Sequence, residues 1–123
     1  MRIRANDDIR ASLIEIRDLI ARALEAENTR DIAALAVGAQ ATASGLRLYL
    51  DDLLHDPFTV YDLKLDEPDL QAARNALGET IVAGEAVGLA VDVPSMLARV
   101  QTFRTDAERA IAAIASAFNL GQV

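Results

Sequence analysis

The sequence predicts an all-α domain of about four helices in an antiparallel bundle, with a partly extended connection between the second and third helices. Three observations carry that expectation. Apolar residues recur at helical spacing in four long segments. Polar caps or prolines separate those segments. Hydrophobic residues make up 52% of the chain but aromatic residues only 4%, so alanine supplies much of the apolar content and favours helix. A chain of 123 residues can bury one hydrophobic core but not two, so residues 1–123 are expected to form a single domain.

The first helix is expected to start at Asn6, with Asp7 and Asp8 in its first turn, where acids complement the helix dipole. Ile9, Leu13, Ile16, Ile20 and Leu24 form its apolar stripe, and it runs to about Glu27. Asn28 and Thr29 break and recap the chain, so a second helix from about Arg30 to Leu54 turns back as a helical hairpin. Its first half carries Ala34, Gly38, Ala41 and Gly45 at helical spacing, which permits close approach of another helix, from the same chain or from another subunit. Its second half is bulkier, with Leu46, Tyr49, Leu50, Leu53 and Leu54.

His55, Asp56 and Pro57 end that helix, because proline lacks an amide donor and restricts the residue before it. From Phe58 to Leu65 the pattern partly alternates, which predicts an extended connection laid along the bundle. Asp66, Glu67, Pro68 and Asp69 start the third helix, with Leu70, Ala73, Leu77, Ile81, Gly84 and Gly88 on its stripe and its end near Gly88. Asp92, Val93, Pro94 and Ser95 open the fourth, whose stripe runs through Met96, Val100, Phe103, Ala107, Ile111, Ile114 and Phe118 to a close at Asn119–Gly121.

The sequence holds little recognisable chemistry. It has no cysteine, which removes disulfides, thiolate metal sites and cysteine nucleophiles and favours a reducing, cytoplasmic compartment. The early acids interrupt any secretory leader, and no apolar run is long enough for a membrane span. There is no phosphate-binding glycine loop, and the serines lack a nucleophile elbow. Glu15, Glu79 and Glu85 fall off the apolar stripes and read as solvated. No catalytic residue, bound metal or cofactor is assigned. The alternative is a carboxylate-rich metal protein or enzyme in which Asp52, His55 and Asp56 form part of a site completed by a second subunit; the lone histidine cannot complete a di-iron pattern within one chain.

The clearest functional signal is charge. Between Asp51 and Asp69 seven acids (Asp51, Asp52, Asp56, Asp62, Asp66, Glu67 and Asp69) face Lys64 alone, which accounts for six of the seven excess negative charges. That distribution argues against nucleic-acid binding and for a partner with a basic surface. Phe58 and Tyr61 interleave with the acids, giving the ingredients of a protein-binding patch: Asp51, Asp52, Asp56, Phe58, Tyr61, Asp62 and Asp66. The bland reading is that the apolar members cover the bundle's own core. The sequence thus favours a non-catalytic interaction or assembly module, of the kind found among bacterial or phage adaptors, chaperones and inhibitors. Gly38, Ala41, Gly45, Gly84 and Gly88 are the expected contacts of a homo-oligomer.

Overall fold

The computed structural model describes residues 2–123, with side chains described from Asn6 onward. It contains five helices: α1 (Arg2–Glu25), α2 (Thr29–Leu54), α3 (Pro57–Asp62), α4 (Glu67–Val87) and α5 (Val93–Ala117). No strand occurs among the described residues. Two expectations need correction. The first helix begins at Arg2, so Asn6, Asp7 and Asp8 lie within it rather than capping it. The segment after Pro57 is a short helix and not an extended connection, which raises the count from about four helices to five.

The remaining boundaries follow local chemistry. Asn28 adopts an extended backbone and its side chain accepts from the Asp31 amide at 2.9 Å, satisfying one of the free donors at the start of α2. Asp92 does the same for α5, accepting from the Ser95 amide at 2.8 Å and the Ser95 hydroxyl at 3.1 Å. Pro57, Pro68 and Pro94 each fall in the first turn of a helix, where the missing amide hydrogen costs nothing. Asn119, with φ 54°, ends α5 in a left-handed turn: its amide bonds to Ser116 and that of Leu120 to Ala115 O at 2.9 Å, so the last carbonyls are paired.

One cluster of buried apolar side chains joins the four long helices. α1 supplies Leu13, Ile16 and Ile20; α2 supplies Ile32, Ala36, Ala39, Ala43 and Leu50; α4 supplies Leu70, Ala73, Leu77 and Val87; α5 supplies Val100, Phe103, Ala107 and Ile114. Each large aliphatic member stabilises the fold by about 1.5–3 kcal/mol relative to leaving it in water. Packing runs round a ring: α1 lies against α2 and α5, and α4 against α2 and α5. Alanine on α2 brings its neighbours close, and Gly84 on α4 makes room for Phe103, whose ring atom Cζ would lie 3.0 Å from a Cβ placed there. The buried Thr80 hydroxyl donates to Ala76 O at 2.8 Å, leaving no polar cost in the core.

Polar contacts fasten the edges of this ring. The Arg17 guanidinium grips Glu108 with two hydrogen bonds, 2.8 and 2.7 Å, and donates to Val123 O at 2.6 Å. Arg10 donates to the Leu120 and Gln122 carbonyls. Arg74 pairs with Asp51 between α4 and α2, and Arg99 donates to Ala86 O at 2.7 Å. No described helix is long and apolar enough to cross a membrane.

Candidate functional site

The acidic segment is built on two consecutive helix ends. At the close of α2 the His55 amide returns to Asp51 O and Asp52 O, and its ring Nδ1 lies 2.7 Å from Asp51 O, folding the imidazole back over the last turn. Asp56 then caps α3, accepting from the Thr59 amide at 3.2 Å and the Thr59 hydroxyl at 2.5 Å. Those hydrogen bonds, the hydroxyl's first, hold the Asp56 carboxyl below the usual aspartate range. At the other end, Lys64 takes φ 56°, its amide bonds to Tyr61 O and the Leu65 amide to Val60 O, both at 3.0 Å. This closing turn normally uses glycine; here a lysine accepts the left-handed backbone so that the chain can reverse into α4.

The reversal sorts the apolar residues of the segment. Val60 and Leu65 are half-buried against the core. Phe58 and Tyr61 point away from it, with 81% and 83% of their surface exposed. The bland reading therefore holds for Val60 and Leu65 but not for the two aromatic rings. In the same segment Asp52, Asp56, Asp62 and Asp66 are exposed, whereas Asp51 is half-buried and engaged by Arg74. Asp66 occupies the cap position of α4 without a side-chain cap bond. Tyr61, Asp62, Lys64, Leu65 and Asp66 line a shallow open cleft.

Among the described residues no three His, Cys, Asp or Glu side chains group so that they could hold a metal ion. His55 Nδ1 is turned to the Asp51 carbonyl and the Asp56 carboxylate to Thr59, so both side chains serve helix ends.

The small residues separate into two sets. A Cβ at Gly38 would meet Leu19 of α1 at 3.4 Å, and one at Gly84 would meet Phe103 and Gln40, so both glycines serve packing within the chain. Gly88 has only the Glu85 carbonyl nearby, at 3.6 Å, and is exposed. Ala41 and Gly45 lie on the outer face of α2, and a Cβ at Gly45 would touch nothing within 4 Å. Sequence reasoning missed two bulky members of that outer face, Val37 (62% exposed) and Leu48 (65% exposed). A signal was available: from Ile32 to Leu46 no residue carries a charge, and a helix packed on one side only would normally carry charges on the other.

Compared with protein-family models, curated proteins and solved structures, the chain shows no match, so its function must be argued from the geometry above.

Proposed function

We propose that this chain is a non-catalytic interaction module that presents α3 and its acidic surround to a protein with a basic surface. The observation that carries the reading is the outward projection of Phe58 and Tyr61 in the same segment as the exposed carboxylates of Asp52, Asp56, Asp62 and Asp66. Aromatic rings supply binding energy once water is expelled from them, and acids around them favour a basic partner and speed its approach. The four long helices act as the scaffold. Their arrangement as an antiparallel bundle is supported by pairs such as Leu19 with Gly38 and Glu15 with Thr42, or Asp51 with Arg74 and Gln40 with Ile81, whose numbers rise on one helix as they fall on the next. Self-association through the small-residue surface of α2 is part of the same reading, as is a cytoplasmic location, which the absence of cysteine favours.

The test is capture from a lysate of the source cell by immobilised chain, at low and high salt, with wild type beside Phe58→Ala/Tyr61→Ala and Asp52→Asn/Asp62→Asn/Asp66→Asn. A basic protein retained by wild type, lost from the aromatic variant and weakened by salt or by the asparagine variant is the expected result. Identical retention by all three proteins at low salt would sink the proposal.

A further inference from the structure

We infer that the outer face of α2 is the contact surface for a second copy of this chain, packed antiparallel about a two-fold axis through Ala41. The inference rests on the self-association included in the proposed function and assigns it to particular residues. Val37, Ala41, Gly45 and Leu48 form an exposed, uncharged face, closed at its two ends by Arg30 and Asp52. Neither end residue has an ion-pair partner within the chain among the described residues.

What selects a second copy as the occupant is the pattern under two-fold symmetry, where a surface must fit itself. With Ala41 on the axis, Val37 of one subunit lies opposite Gly45 of the partner, and Leu48 opposite Ala34. Each bulky residue thus meets a small one. The same operation places Arg30 opposite Asp52, so two ion pairs close the ends of the contact. A parallel arrangement would instead set Arg30 against Arg30 and Leu48 against Leu48.

The geometry also fixes the crossing angle. Arg30 and Asp52 each stand eleven residues from Ala41, about 16 Å along the helix. Alanine and glycine at the crossing allow the axes to approach to about 8 Å, and at a crossing of about 20° they are still only about 10 Å apart at the ion pairs. At about 50° the ends would separate to about 16 Å, too far for arginine to reach. The shallow crossing is therefore the one in which the apolar centre and the charged ends engage together.

Light scattering after size exclusion tests this, supported by circular dichroism. Wild type is expected at twice the 13.2 kDa chain mass. Ala41→Glu sets two carboxylates against each other on the axis and should raise the dissociation constant on the order of 100-fold, with an unchanged helical spectrum because Ala41 is exposed in the single chain. Arg30→Asp alone should weaken the dimer about 10-fold, and adding Asp52→Arg should restore it. With no native cysteine present, Ala41→Cys should oxidise to a disulfide-linked dimer. A wild type that stays monomeric at the highest attainable concentration overturns self-association itself. A dimer indifferent to Ala41→Glu overturns this surface but leaves self-association standing, and a charge swap that fails to restore affinity overturns the antiparallel register.

Discussion

Phe103 and Phe58 are the same residue type on helices of one chain, yet Phe103 is fully buried and Phe58 is 81% exposed. Phe103 sits on a regular stripe of α5, opposite the gap left by Gly84, and closes the seam between α4 and α5. Phe58 sits on a six-residue helix with no buried residue, and only its neighbours Val60 and Leu65 reach the core. The difference shows that the apolar content of this chain divides: one part holds the helices together, and another part is left on their surface.

The comparison can be broken most directly by truncating the two rings. Phe103→Ala should cost about 3–5 kcal/mol through lost burial and a residual cavity, whereas Phe58→Ala should change stability by less than about 0.5 kcal/mol. Urea unfolding of both variants measures the gap, and similar losses would mean that Phe58 supports the fold. A smaller contrast sharpens the role of Gly84. Gly84→Ala sets a methyl group against the fully buried Phe103 ring, which must shift to admit it, and should cost about 1–3 kcal/mol. Gly78→Ala, on the same helix with nothing within 4 Å of the new methyl group, should instead stabilise by about 0.5–1 kcal/mol. Thermal melts of the pair give opposite shifts if the Phe103 seam is as tight as described.

The smallest effect concerns the carboxylates at the helix ends and edges. The hydrogen bonds from Arg17 lower the Glu108 pKa, those from Ser95 lower that of Asp92, and those from Thr59 lower that of Asp56. Each folded value lies below the unfolded one, so the unfolded chain binds more protons in acid. Their stabilisation is complete above the ordinary carboxylate range and is lost as pH falls through the lower folded values. Urea midpoints should therefore decline in that acidic window, and Glu108→Gln should make the decline shallower; a flat profile in the wild type would contradict these pairings.

Much of the helix layout was legible because its signals are local. Asn28, Asp66 and Asp92 announce helix starts, and the stripes of α1 and α5 match the buried residues closely. Asn6, Asp7 and Asp8 misled because polar residues that suit a cap are equally at home on the solvated side of a helix already under way. Phe58–Leu65 misled for a different reason: its β-branched and aromatic residues in partial alternation mimic an extended segment, while the aspartate and proline that precede them start a helix, as the same chemistry does at Asp66–Pro68 and Asp92–Pro94. The aromatic patch was visible as composition, but the outward turn of Phe58 and Tyr61 depends on how α3 sits on the bundle. The outer face of α2 was harder still. Its periodicity could not separate Gly38, which faces Leu19, from Gly45, which faces open space, because that depends on which neighbours flank the helix.

The grip of Arg17 and Arg10 on the distant end of the chain carries a consequence for how the fold is reached. Their partners lie more than 90 positions further along, so the α1–α5 seam joins segments far apart in sequence and closes more readily once α2 and α4 have packed between them. A chain emerging from the ribosome can pair α1 with α2 early, but the flank of α1 that ends against α5 has no cover until α5 has been made. During that interval the buried side chains of α1, among them Leu13, Ile16 and Ile20, lack part of the cover they have in the folded chain, the state in which a partly folded helical chain is most exposed to association with the wrong neighbour.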